Sequence, residues 1–411
     1  MKNNKEKYLD ILNKELLLAL GCTEPSSIAY VASVASNNIQ GDIKKIIITC
    51  SVNYIKNVHG VSIPKTGGKK GIKYAIAAGI ISNNADNKLN ILDSLDDSDI
   101  NKITNLVENV DIVINKSNLD KEIYIKLEMF SKEEKVEVEL ADEHTNIIKI
   151  EKNNQIIFDS KSKIINKKKQ YNMDFFEILD FVDNILINEI PTCIYDQIRY
   201  NYDIGLWGND NDLELNIGNY FEEYSKSVAL TAFASESRML GCPLPVIINS
   251  GSGNQGLVLS ISIINYSKQN NLSKEKTYKA LMLSNLLAIW QKQYFSPLSA
   301  FCGVVNAASA LSGALTWLKN GNPNQIVIAM NNTFATLAGM YCDGAKVSCA
   351  LKVGIATKLA FISRDMALDN KGLKSGEGIV KKDILNTIQN TAKVVNNTRV
   401  LDDYLLDAIL Q

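Results

Sequence analysis

Three cysteines near the C-terminal third carry the strongest chemical signal. Cys302, Cys342 and Cys349 stand in FCGVVNA and YCDGAKVSC, spaced C-x39-C-x6-C. Three thiolates suit an iron–sulfur cluster that leaves one iron without a protein ligand, since a structural cluster takes four. The same residues also suit a buried core, because free cysteine is among the most buried residue types. The residues alone leave both readings open. Seven residues of regular helix span roughly 10.5 Å, too far for two ligands of one small cluster. A cluster therefore requires Asp343-Gly344 to break any helix between Cys342 and Cys349.

A fourth cysteine, Cys22, stands in LGCTEP. A thiol at a helix start is a candidate base, nucleophile or fourth ligand, because the terminal amides favour the thiolate. It equally suits a small residue packed in a tight turn. Two Gly-rich stretches are candidate anion sites: SGSGNQG at Ser250–Gly256 and PKTGGKKG at Pro64–Gly71. Neither has the phosphate-loop or dinucleotide-loop spacing. Exposed loop amides hold carboxylates as well as phosphates. His144 in HTN and Arg238 in SESRM are single candidates, the arginine as a bidentate carboxylate clamp.

These residues need elements to hold them. Leu9, Leu12, Leu16 and Leu20 recur at helical spacing until Gly21 interrupts, and Pro25 suits the first turn of a second helix over Ser26–Ser36. Ile43–Val52 alternates as a strand. Helices are expected at Ile72–Ile81 and Asp97–Val110. Short alternating runs at Ile123–Met129, Lys135–Leu140, Ile147–Glu151 and Gln155–Phe158 predict a small antiparallel sheet. Lys161–Lys169 reads as a linker, and helical patterns dominate from Asp174 onward. The expected fold is mainly α: a helical catalytic domain of residues 1–42 and 172–411, with an inserted α+β domain of residues 43–171 carrying the sheet.

Composition narrows the class. The chain has 411 residues, with 44 Lys+Arg against 45 Asp+Glu and a net charge of −1. That balance argues against a nucleic-acid partner. The apolar stretches around Ala280–Trp290 and Ala300–Leu318 are broken too early for a membrane span. MKNNKEKYLD has no apolar leader, so a cytoplasmic protein is expected. Seven scattered cysteines do not suggest a disulfide framework. The two histidines, His59 and His144, exclude a His-rich zinc site.

Five ordered motifs occur together: LGCTEP, KNxxGVxxPxTG at Lys56–Gly67, HTN at His144–Asn146, SGSGNQG, and CDGAxxSC at Cys342–Cys349. Together they resemble the L-cysteine desulfidases, iron–sulfur enzymes related to the α chain of iron–sulfur L-serine dehydratase. The resemblance runs from Leu20 to about Val380. It implies a [4Fe-4S] cluster on Cys302, Cys342 and Cys349, with an open iron as Lewis acid. Cys22 corresponds to the family's proposed catalytic cysteine. The implied activity is breakdown of L-cysteine to pyruvate, ammonia and hydrogen sulfide without pyridoxal phosphate; L-serine dehydration by the same machinery is the alternative. Ser252, Asn254, the Thr66-Gly67-Gly68 loop, His144 and Arg238 are then candidates to hold the small amino-acid substrate. A homodimer is the assembly suggested by the relatives. His59 departs from the smaller or apolar residue expected in that motif. Outside this family, a redox-sensing iron–sulfur protein and a helical binding protein with incidental thiols are the competing classes.

Overall fold

The computed structural model describes residues 2–160, 171–398 and 400–411. The expected linker at Lys161–Lys169 lies outside the described residues. Helix α1 (Lys2–Glu15) leads through the short strand β1 (Leu18–Ala19) to α2 (Thr23–Ser36). Gly21 ends the first run with φ +74, and Pro25 sits in the first turn of α2. Strand β2 (Lys45–Cys50) turns inward Ile46, Ile48 and Cys50, every second residue. Ser51 then turns the chain straight into α3 (Val52–His59). The sequence reading missed this helix because the β-branched run Ile43–Val52 carries past the boundary. Helices α4 (Ile72–Ser82) and α5 (Asp99–Asn109) cross the sheet. They deliver strand β3 (Asp111–Lys116) parallel to β2. Parallel neighbours need such a long crossover. Strands β4 (Tyr124–Phe130), β5 (Lys135–Ala141), β6 (Ile147–Lys152) and β7 (Gln155–Asp159) form an antiparallel meander. The order is β3-β2-β4-β5-β6-β7, so the expected antiparallel sheet is present with one parallel strand added.

The inner face of this sheet, with Ile48, Leu127, Val138 and Leu140, shares one core with Ile28 and Ala32 of α2 and Ala75 and Ile76 of α4. Small residues let these two helices touch: a Cβ on Gly79 would lie 2.0 Å from the Ala29 carbonyl oxygen. The division expected after residue 42 groups α2 with the helical bundle. Its buried side chains instead lie in the sheet core, and only α1 (through Tyr8, Ile11 and Leu12) joins the bundle. On the outer face, Lys149 Nζ lies 2.9 Å from Glu137 and 2.6 Å from Glu151, and Lys126 Nζ lies 2.9 Å from Glu137.

The second core is helical, as its dense small and aliphatic residues imply. It contains α6 (Phe175–Asn184), α7 (Thr192–Asp210), α8 (Asn219–Glu222) and α9 (Lys226–Met239). Strand β8 (Val246–Ile247) pairs with β1. Then come α10 (Gly253–Gln269), α11 (Lys274–Lys292), α12 (Gly303–Leu318), α13 (Pro323–Leu337) and α14 (Cys349–Leu368). The chain ends with α15 (Ile384–Asn396) and α16 (Val400–Leu410). Helix α16 returns to the sheet unit, where Asp402 Oδ1 accepts from buried Lys56 Nζ of α3 at 2.6 Å. Among the described residues, no helix is long and apolar enough to cross a membrane.

Candidate active site at the seam of the two cores

Cys22 occupies the N-cap of α2 and is 3 % exposed. Its carbonyl takes the Ser26 amide at 3.3 Å and the Ser26 hydroxyl at 3.1 Å, so the turn does not depend on the sulfur. Thr23 reaches across the seam and donates its hydroxyl to the Gly251 carbonyl at 3.0 Å. Burial pushes the Cys22 thiol up to about 12; Arg238 pulls against it, and Glu24 and Cys349 add to it. Burial thus favours the thiol form of Cys22.

The loop before α10 builds the facing wall. Ser252 caps α10, its hydroxyl accepting from the Gln255 amide at 3.4 Å. Asn254 Oδ1 accepts from Arg238 Nη1 at 3.3 Å and from the Ser235 hydroxyl at 3.2 Å. Arg238 packs against the loop: a Cβ on Gly253 would stand 2.3 Å from its Cζ, so any larger residue there must displace the guanidinium. The guanidinium is 5 % exposed, its Nε has no partner, and no carboxylate among the described residues lies within ion-pair reach. A buried cation with free donors is costly unless an anion comes to it. His144 closes the other side. Its carbonyl accepts from the Ser27 hydroxyl at 2.6 Å, and its Cε1 is 3.1 Å from where a Gly251 Cβ would be. Its Nε2 is sealed and unpartnered. Burial lowers the imidazole pKa against the pull of Glu24 and Glu143, so the ring is neutral.

The late cysteines complete the seam. Cys302 caps α12 and Cys349 opens α14. The Cys302 amide donates to the Met340 carbonyl at 3.0 Å, and the Cys342 amide to Ala300 at 2.7 Å, so the two segments are tied together. The expected break between Cys342 and Cys349 is present as an irregular turn. Gly344 makes it with φ +94, and a Cβ there would lie 2.4 Å from the Lys56 carbonyl. Burial pushes the Cys302 thiol up to about 12, and Cys342 and Cys349 add to this, while Lys352 opposes it. The paired segments thus bring Cys302 alongside Cys342, and the turn at Gly344 returns the chain to Cys349. Lys352 also holds Asp343 at 2.6 Å, as does Lys346. Burial works against Asp343 ionising, but these two lysines overcome it and hold the carboxyl at about 2. Cys22 and Cys349 meet in one small apolar cluster with Val61 and Met239. Among the described residues, no three His, Cys, Asp or Glu side chains are arranged to hold a single metal ion. A cluster spreads its thiolates over separate irons, so its donor set is wider than that of one ion.

The remaining candidates sit apart from this centre. The Thr66 hydroxyl is spent on the Ile63 carbonyl at 2.7 Å, and Gly67 faces Ile100. Pro64, at the start of the loop, packs on Gly21 next to Cys22. His59 is exposed at the end of α3, so its departure from the motif is a surface change. Cys50, Cys193 and Cys242 are buried in the hydrophobic cores. Sequence reasoning assigned no role to Glu24, Gln255 or Lys352. Glu24 and Gln255 lie inside the LGCTEP and SGSGNQG motifs. Gln255 bridges to Asn306 of α12 at 3.3 Å, which ties the loop to the Cys302 helix.

A buried thiol, an unpaired guanidinium and a Gly-rich loop thus meet at the seam of the two cores. The model of the serine dehydratase alpha chain family matches residues 86–400, and the chain belongs to that family. Membership implies a lyase of the serine dehydratase type. The chain is also 35 % identical to the UPF0597 protein of Treponema denticola, over 100 % of this chain and 99 % of that one. It is 36 % identical to the UPF0597 protein of Desulfitobacterium hafniense, over 94 % and 92 % respectively. Identity to the UPF0597 protein of Lachnoclostridium phytofermentans is 37 %, over 93 % and 94 %.

Proposed function

We propose that the chain catalyses β-elimination from L-cysteine, releasing hydrogen sulfide and 2-aminoacrylate, which hydrolyses to pyruvate and ammonia. The observation that carries this reading is the buried Arg238 guanidinium, unpaired beside Cys22 and the Gly251–Gly253 loop. It calls for a small anion at that spot, and an amino-acid carboxylate supplies one. The amides opening α10 point the same way. Cys22 is then placed to take the Cα proton. It must give up its own proton first, and the Arg238 charge and the α2 N-terminus favour that loss. Neutral His144 offers a hydrogen bond through its unpartnered Nε2.

The donor set of Cys302, Cys342 and Cys349 fits a [4Fe-4S] cluster: three adjoining thiols, two of them at helix N-termini, with Lys352 alongside to balance negative charge. When bound there, such a cluster supplies a Lewis-acidic iron for the leaving substituent. The chain's own part is to hold the substrate, exclude water and move the proton. L-Serine is the second reading, favoured by the family model; its β-hydroxyl would be the leaving group, giving the same 2-aminoacrylate.

The test is purification without oxygen, counting iron and acid-labile sulfide, then following sulfide and pyruvate from L-cysteine and L-serine side by side. About four irons per chain with fast sulfide release supports the desulfidase. Fast pyruvate from serine with slow sulfide makes it a dehydratase. No iron and no turnover removes both.

A further inference from the structure

Glu24 is a buried carboxylate, 8 % exposed, with no lysine, arginine or histidine in ion-pair reach among the described residues. It receives two neutral donors. Asn57 Nδ2 reaches Oε1 at 2.8 Å, and the Thr23 hydroxyl reaches Oε2 at 3.0 Å. That hydroxyl has one proton, which it shares with the Gly251 carbonyl. Other buried acids are better served. Asp402 has Lys56, Glu137 has Lys149 and Lys126, and Glu236 accepts from three backbone amides, of Leu215, Asn216 and Ile217. A carboxylate buried with open lone pairs and no counter-charge is unfavourable unless a cation arrives.

A second observation points to the same spot. Asn57 Oδ1, on the amide whose nitrogen serves Glu24, is buried and has no donor. Two acceptors from neighbouring side chains are therefore short of hydrogens. Arg238, the opposite charge that also acts on Cys22, is short of an acceptor. The two opposite charges do not pair with each other. They stand apart, with the Cys22 thiol under the influence of both.

We propose that Glu24, assisted by Asn57 Oδ1, anchors the α-ammonium group of the substrate, so that the site selects α-amino acids over 2-hydroxy and des-amino acids. The inference rests on the amino-acid lyase reading and adds to it the residue that sets the substrate class. An ammonium brings three donors, which the free lone pairs of Glu24 and Asn57 match. With the carboxylate at Arg238 and the ammonium at Glu24, both charged groups of an α-amino acid are met by residues whose charges act on Cys22.

The test is binding, which needs no turnover. The anaerobically purified protein is titrated calorimetrically with L-alanine, propionate and L-lactate. L-Alanine is expected to bind about tenfold or more tightly than the other two. Glu24→Gln should lose that margin for L-alanine while binding propionate as the wild type does. Asn57→Ala, which leaves the charge in place, should lose about threefold to tenfold on L-alanine alone. In turnover, Glu24→Gln should raise KM more than it lowers kcat, with iron content held. Equal binding of L-alanine by wild type and Glu24→Gln would overturn the proposal. So would an equal loss of propionate in both variants, or a fall in kcat with KM held. If the wild type binds L-alanine selectively but turns over neither cysteine nor serine, the lyase reading fails and the Glu24 assignment stands. If it binds none of these amino acids, both fall.

Discussion

At the scale of single residues, the site separates two kinds of cysteine by what surrounds them. Cys22 faces Arg238 and Glu24, while Cys302, Cys342 and Cys349 face one another and Lys352. Their substitutions should therefore fail differently. Cys302→Ala is expected to remove both the iron and the activity. Cys22→Ala should keep the iron chromophore and lose turnover by a factor of about a hundred or more, the usual contribution of a positioned acid or base. Absorbance near the cluster bands and pyruvate release, measured on the same samples, check both. Loss of iron from Cys22→Ala would make Cys22 a ligand instead. Residue types named most of this group in advance, because thiols and a scarce arginine carry chemistry wherever they stand. Glu24 escaped because a glutamate is ordinarily solvated, and only its burial without a cation singles it out.

At the scale of elements, periodicity revealed the long helices and the four meander strands, whose alternation is strong. It missed α3 and the parallel strand β3. The first is short and follows a β-branched run without a break. The second, Asp111–Lys116, has a single buried position, Ile112, and so lacks a clear two-residue pattern. Helix α2 was grouped by chain order, and its contacts with the sheet depend on packing that spacing does not encode. The outer face of the sheet carries a testable property. Burial resists ionisation of Glu137, yet hydrogen bonds from Lys149 and Lys126 hold its pKa below the usual value. A depressed carboxyl stabilises the fold fully above its unfolded pKa, and that contribution is lost as the pH falls through the lower folded value. Thermal melts from pH 7 to 3 should show Glu137→Gln less stable by about 1–3 kcal/mol at neutral pH, with the gap closing as the pH falls. A constant gap would show that packing, and not charge, accounts for the loss.

At the scale of the whole molecule, the site depends on both cores meeting correctly, and α16 helps fix that meeting. Lys56 is fully buried, and its one ionic partner among the described residues is Asp402. Its backbone carbonyl lies against Gly344, which turns the chain between Cys342 and Cys349. Asp402→Ala would leave a buried ammonium unpaired, at a cost of about 3–5 kcal/mol. Urea unfolding should register that loss, and iron retention should weaken alongside it because the cysteine turn loses its support. Unchanged iron retention in a destabilised protein would separate the clamp from the site.

The Lys56–Asp402 pair joins residues 346 positions apart. The pair closes only when α16 docks against α3. Without α16 docked, burying Lys56 carries an unmet charge, which disfavours the final seat of α3. The turn that sets Cys342 and Cys349 is held back with it. Seating of the last helix and closure of the turn between Cys342 and Cys349 are thereby coupled, and whatever loosens the one loosens the other.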